Sequence, residues 1–202
     1  MTRPRRRSAV REHLVFIGRF LKNPRQVGAV APSSRTLART MVKHLPLTAG
    51  SRVVELGPGT GAFTEEVLSA LPAGAQFLAI DIDPTFCAQL SERFPSLDIA
   101  CASAAELPRL MAARGWPHVD HIVSGLPFAS LPGEISRGIL EAVHASLKPG
   151  GTFTTFQYIH AYPLPPAKAF RQEMTRRVGP MAHRWQVLRN VPPAYVLSWR
   201  QR

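Results

Sequence analysis

Acidic side chains are scarce in this chain: 13 Asp and Glu stand against 25 Lys and Arg over 202 residues, giving a formal net charge of +12 and a pI near 11.1. Such a balance attracts a polyanion, either nucleic acid or an acidic membrane surface. Cysteine is scarcer still. Cys87 and Cys101 are far apart in the chain and outside any metal-ligand pattern, which excludes a disulfide framework and implies a reducing compartment. Neither is assigned a redox role, and no metal site is expected. Long apolar runs are also missing. None approaches the ~18 residues of a spanning helix, and the short run after "TRPRRR" is interrupted by Arg19, unlike a secretory signal. Internal repeats are absent. With 45% hydrophobic residues, the chain is expected to be a cytoplasmic protein with one sizeable core.

The basic residues that are present cluster in two places. Residues 1–25 hold eight (Arg3, Arg5, Arg6, Arg7, Arg11, Arg19, Lys22 and Arg25) against Glu12 alone. Within them "SAVREHLVFIGRFLK", residues 8–22, places Val10, Leu14, Phe16, Ile17, Phe20 and Leu21 on one helical face and Arg11, Arg19 and Lys22 on the other. An apolar face with a basic margin suits the surface of an anionic bilayer. Residues 1–25 are therefore assigned as a membrane-binding segment ahead of a domain at 26–202. The second cluster, Lys168, Arg171, Arg176, Arg177, Arg184 and Arg189, faces only Glu173. It suits a lipid phosphate or a solvated helix face.

"SSRTLARTMVKHL" predicts a helix with Ser33 or Ser34 as its cap and Pro46 as its stop. Strands are then expected at 51–56, 76–81, 97–101, 119–124 and 151–159, and helices near 62–71, 84–93, 104–113 and 133–147. A basic helix at 166–178 and two final strands, "RWQVLRN" and "AYVLSWR", complete the pattern. The fold class is thus α/β: a Rossmann-like, seven-stranded, mostly parallel sheet with helices on both faces, preceded by the amphipathic helix.

"VVELGPGTGAFT" carries the first chemical signal. Gly57, Gly59 and Gly61 permit a tight turn and close approach of backbone to a ligand. Gly57-x-Gly59-x-x-Ala62 satisfies a dinucleotide fingerprint, but Glu55 just ahead of it is ill placed for a phosphate. It suits a ligand bearing an ammonium and a sulfonium. Asp81 closes the second strand, where a carboxylate accepts both hydroxyls of a ribose. The turn "SGLPF" at the end of the fourth strand stands beside the same ligand, and no substrate domain remains for a nicotinamide enzyme. S-adenosyl-L-methionine is the cofactor these features favour.

The chain resembles the class I S-adenosylmethionine-dependent methyltransferases, and within them the bacterial soluble-type phospholipid (phosphatidylethanolamine) N-methyltransferases. "FLKNPRQVGAVAPSSRTLA", "VVELGPGTGAFT", "LAIDIDPTF", "IVSGLPF", "LKPGGTFTTFQY" and "NVPPAYV" carry the resemblance, in order, over residues 20–200. It implies that Glu55, Gly57, Gly59 and Gly61 hold the methionine part, Asp81 the ribose, and Ile82 the adenine. A family Gly-Asp-Ala element appears here as Ala102-Ser103-Ala104. Ser103 replaces an adenine-binding aspartate, with Glu106 as the substitute acceptor and Ala104 beside it. "GAVAPSS", residues 28–34, is expected to fold over the cofactor. Ser124 and Leu126 of the "SGLP" turn are expected to orient the acceptor amine. Tyr158 and His160, with Tyr162, supply a proton acceptor or an aromatic wall, and Phe128 joins Tyr158 as a face for methylated cations.

The expected reaction is transfer of methyl groups to the amine of a membrane aminophospholipid, by an enzyme held peripherally at the inner face of the cell membrane. Ornithine lipid is an alternative acceptor. RNA adenosine is another, which the charge suits but which calls for an Asn-Pro-Pro-Tyr-like turn where this chain has "SGLP". A non-catalytic basic membrane- or nucleic-acid-binding module is the third alternative. The expected partners are an anionic membrane surface and the lipid substrate; neither nucleic acid nor a stable protein partner is expected.

Overall fold

A strand covered on both faces has no use for polar alternation, and the middle of this sheet is built from such strands. In the computed structural model, which describes residues 34–202, the elements run α1 (Arg35–Val42), β1 (Arg52–Leu56), α2 (Ala62–Ala70), β2 (Gln76–Asp81), α3 (Pro84–Arg93), β3 (Asp98–Cys101), α4 (Leu107–Ala112), β4 (Val119–Ser124), α5 (Gly133–Ser146), β5 (Leu147–Tyr158), α6 (Pro165–Arg177), β6 (Met181–Val187) and β7 (Ala194–Arg200). Every residue of β4 is buried. The seven strands form one sheet in the order β3-β2-β1-β4-β5-β7-β6. β1 to β5 are parallel, while β7 runs antiparallel to both β5 and β6.

Helices cover both faces of this Rossmann-like sheet. On one, Leu107, Leu140, Phe170 and Met174 of α4, α5 and α6 pack with Leu56, Ile122 and Phe153. On the other, Leu37 and Met41 of α1 and Phe63 and Val67 of α2 pack with Val53, Val123 and Val196. Trp116 and Trp199 are buried in the first core. The amphipathic helix at 8–22, the 1–25 segment, most of "GAVAPSS" and a cap at Ser33 lie outside the described residues. Ser34 caps α1, accepting from the Leu37 N–H.

After α1, three elements differ from expectation by more than one residue. The helix at 104–113 begins as a separate 3₁₀ turn, Ala104–Glu106, because a capping box between Ser103 and Glu106 sets its own first turn ahead of Pro108. The strand expected over 184–190 is β6 at Met181–Val187. Asn190 ends it: its amide donates to Pro192 O at 2.7 Å and its side-chain oxygen accepts from Ser34 N–H at 3.0 Å, so the last residues of "RWQVLRN" form a turn. β5 starts at Leu147, before Gly150 and Gly151, across an irregularity between Val119 and His121 of β4.

Candidate active site

Strand order reverses between β1 and β4, so their carboxyl ends open a crevice. The glycine turn enters it after Leu56. Gly57 has φ +69°, and a Cβ there would stand 2.5 Å from Leu126 Cδ2. A Cβ on Gly125 would stand 2.6 Å from the Gly57 carbonyl oxygen. The Gly57 N–H donates to Ile80 O and the Gly125 N–H to Leu56 O, each at 2.9 Å. The glycine turn and the "SGLP" turn thus touch backbone to backbone. Gly59 is different: at φ +54° its Cβ position has nothing within 4 Å, so the crest of the turn faces open space.

Asp81 holds that crest. Its Oδ2 accepts from Gly59 N–H and its Oδ1 from Asp83 N–H, both at 3.0 Å. The side chain is buried, and burial raises its pKa although both N–H donors oppose the shift. Each carboxylate oxygen keeps a lone pair for a ligand hydroxyl. Cys87 lies behind it, its thiol donating to Asp81 O at 3.5 Å, and burial pushes that thiol up to about 12. Cys87 and Cys101 are both free thiols.

Glu55 is wholly enclosed under the turn. Its Oε2 accepts from the Thr64 hydroxyl at 2.7 Å, and its Oε1 has no partner. Burial pushes its pKa up to about 8, with the Asp81 charge adding and the Thr64 hydrogen bond opposing. An orphaned buried carboxyl oxygen costs free energy unless a cation compensates it. A ligand with an ammonium near Glu55 and a diol near Asp81 therefore fits this crevice.

The Glu55 shift sets a pH dependence. The folded chain keeps a proton that the unfolded chain gives up near its ordinary carboxyl value. Stability from this group is therefore greatest below that value, falls as pH rises, and levels off above about 8. Glu55→Gln removes the penalty. In thermal melts without ligand, the variant is expected to be more stable than the parent at pH 8, on the order of 4 kcal/mol, and equal to it near pH 4. Equal melting at both pH values would show the carboxyl to be ionised without cost.

The "SGLP" turn is built differently from expectation. The Ser124 side chain is fully buried; its hydroxyl accepts from Leu126 N–H at 3.3 Å, and its carbonyl accepts from Thr155 Oγ1 at 3.0 Å. It shapes the turn. The Leu126 carbonyl accepts from Phe128 N–H at 3.0 Å, and its side chain packs against the core. Phe128 is no wall of the crevice. It is 6% exposed and stacks on Phe170 at 4.6 Å with Phe153 edge-on at 6.0 Å. Phe128→Leu should accordingly lower the unfolding free energy by about 1 kcal/mol in urea titration and leave turnover within about threefold.

The adenine end assigned from the sequence is built around a helix cap. The Ser103 hydroxyl accepts from Ala105 N–H at 3.3 Å, while Glu106 accepts from Ser103 N–H and from the Arg109 guanidinium at 2.8–3.0 Å. Both side chains cap a helical turn, and the Ser103 hydroxyl and Glu106 Oε1, each holding one N–H, keep a lone pair on the half-exposed side of the turn. Ala104 is buried beneath that turn, and Ile82 is half-buried at the end of β2.

An aromatic row connects the crevice to the end of β5. Phe63 stands 3.4 Å from the Gly125 Cβ position and meets Phe156 edge-on at 5.8 Å. Phe156 meets Tyr158 edge-on at 5.5 Å, and Tyr158 stacks on exposed His160 at 5.7 Å. Tyr162 turns to the opposite face, against Tyr195 and Arg171. Sequence reading missed Phe63, Thr64 and Phe156. Phe63 and Thr64 stand two and three residues after Gly61, so their position on the first turn of α2 was the available signal. Phe156 shares the parity of Tyr158 along β5.

A family model described as a methyltransferase domain matches residues 54–153. The chain is 33% identical over 147 residues to the ornithine lipid N-methyltransferase of Singulisphaera acidiphila, covering 71% of this chain and 77% of that protein. It is 30% identical over 124 residues to the ribosomal RNA small subunit methyltransferase A of Thermotoga petrophila, covering 60% of this chain but 44% of that one. Among solved structures, the Burkholderia thailandensis 1,6-didemethyltoxoflavin-N1-methyltransferase, with bound 1,6-didemethyltoxoflavin and S-adenosylhomocysteine, superposes with a TM-score of 0.68. That likeness covers 100% of this chain and 91% of that one at 16% identity, and it speaks to the fold.

Proposed function

This chain belongs to the S-adenosylmethionine-dependent methyltransferases, and from that premise we propose that it methylates the amine of a membrane amino lipid. The observation that carries the reading is the extent of likeness: the match spans 77% of an ornithine lipid N-methyltransferase and only 44% of the RNA enzyme. It favours ornithine lipid as acceptor. The "SGLP" element, read from the sequence as typical of phosphatidylethanolamine N-methyltransferases, supports that lipid as the second candidate.

On this reading the cofactor's ammonium lies near the orphan oxygen of Glu55 and favours loss of the proton that burial holds there, so that the carboxylate compensates it. Asp81 accepts its ribose hydroxyls, and Gly59 leaves the room above the turn. When bound, the cofactor supplies an electrophilic methyl group on a sulfonium. The protein's task is to position and desolvate the amine. A protonated amine has no lone pair, and a cationic centre beside it in a partly dry crevice favours the neutral form. Tyr158 and His160, at the open end of the aromatic row, are the proposed face for the methylated headgroup. Ser124 and Leu126 serve by holding the turn against Gly57. Residues 1–25 are the proposed membrane-binding segment, the cofactor domain following at 26–202, with the enzyme at the inner membrane face.

The test is methyl transfer from labelled cofactor to vesicles containing ornithine lipid, to vesicles containing phosphatidylethanolamine, and to ribosomal RNA. Label in either lipid supports the proposal, ornithine lipid being expected first. Label in RNA alone would overturn it.

A further inference from the structure

Among the described residues, three large apolar side chains stand out in solvent: Leu164 at 51% exposure, Leu188 at 65% and Val191 at 79%. They come from separate stretches of sequence, yet topology brings them to one edge. Leu164 lies in the connection after β5, whose last residue, Tyr158, pairs with Ala194 at the start of β7. Leu188 and Val191 lie in the turn between β6 and β7, where Val187 also pairs with Ala194. The two connections are bonded directly, Ile159 N–H to Pro193 O at 2.9 Å. This is the carboxyl edge of the parallel strands, on which the crevice opens.

The edge is built to hold these side chains outward. Prolines at 163, 165, 166, 192 and 193 restrict both connections. Asn190, 3% exposed, bonds Pro192 O on one side and Ser34 N–H on the other, anchoring the turn between its two exposed apolar residues. Ordering them costs little when the turn is already fixed.

The charge around them has one sign. Glu173 is the last acid in the chain, and the 29 residues after it contain none. Arg189 is exposed between Leu188 and Asn190. Lys168, also exposed, sits one helical turn from Leu164, its N–H bonded to Leu164 O at 3.0 Å. Arg184 lies against the Tyr162 and Tyr195 rings at 5.6 and 5.0 Å. Isolated apolar tips on stiff turns, flanked by exposed cations, match a layer that is anionic at its surface and apolar beneath.

We propose that the carboxyl edge carrying Leu164, Leu188 and Val191 inserts into an anionic lipid membrane, with Lys168, Arg184 and Arg189 against its headgroups. The proposal rests on the amino-lipid reading for the sense of such docking: it would bring the mouth of the crevice to the bilayer. It adds to the 1–25 segment a contact made by the cofactor domain itself.

The experiment uses the full chain and vesicles of phosphatidylcholine with phosphatidylglycerol, neither of which carries a primary amine. The double variant Leu188→Ser, Val191→Ser is expected to partition about tenfold more weakly than the parent. It should melt at the parent's temperature and keep its turnover on detergent-dispersed amino lipid. In a Leu188→Trp variant, the added fluorescence should be quenched by vesicles with brominated acyl chains. Unchanged partitioning of the double variant, or an added tryptophan insensitive to brominated chains, overturns the proposal. So does light scattering that shows a dimer in the parent and a monomer in the double variant with equal vesicle binding, which assigns the edge to a second copy. Failure of the parent to methylate any amino lipid removes the functional reading and leaves these vesicle results standing by themselves.

Discussion

Asparagine at position 81 is expected to weaken S-adenosylmethionine binding about 100-fold, since each hydrogen bond to a charged group contributes about 1.5–3 kcal/mol. Two losses coincide. On the proposed assignment, the carboxylate accepts two ribose hydroxyls, and it already accepts from the N–H groups of Gly59 and Asp83. An amide offers one oxygen where two N–H groups each need an acceptor, so one of them would face an NH₂. The crest of the glycine turn is then free to move away from the geometry the cofactor needs. Calorimetric titration with the cofactor or its demethylated product reads the effect, with circular dichroism to confirm folding. Affinity within threefold of the parent would remove Asp81 from the site.

Alanine at position 125 tests the other half of the crevice. Its Cβ would meet the Gly57 carbonyl at 2.6 Å, and a backbone atom, unlike the end of a flexible side chain, cannot step aside. Phe63 at 3.4 Å closes another way out. Overpacking of this kind costs about 1–3 kcal/mol, which should lower the melting temperature by roughly 3–10 °C. On the proposed assignment, in which the two turns flank the cofactor, the effect on turnover should be larger, about 100-fold, because they would be pushed apart by a fraction of an ångström or more. Gly50→Ala is the control. Its Cβ position meets nothing within 4 Å, and no change is expected in either measurement. If Gly125→Ala keeps the parent's turnover, contact between the turns plays no part in the reaction.

These two positions differ in how readable they were. The position of Asp81 was legible because it is local: a carboxylate closing an apolar strand, one β-α unit after a glycine turn, stands at the sheet's edge beside that turn. Gly125 was legible only as part of "SGLP". That it touches Gly57 depends on β4 lying beside β1, which no spacing along the chain reveals. Ser124, Ser103 and Glu106 show the same limit. Each has a side chain able to contact a ligand, and each also accepts from a nearby backbone N–H, because short polar side chains at turns compete for local donors first. Phe128 was assigned to the crevice by proximity in sequence. One residue past "SGLP", its ring enters the core against Phe170, since only there is its apolar area covered on both sides.

The sequence by itself determined the alternation of strands and helices, the glycine turn, the acids that flank it and the excess of positive charge. All of these follow from periodicity, backbone freedom and composition, which are properties of neighbouring residues. Tertiary structure alone decided that Glu55 is sealed with one oxygen unpaired, that Phe63 and Phe156 link the crevice to Tyr158, and that Leu164, Leu188 and Val191 share an edge. Burial and contact between distant residues depend on strand order, and strand order is settled by how the whole sheet covers its two faces.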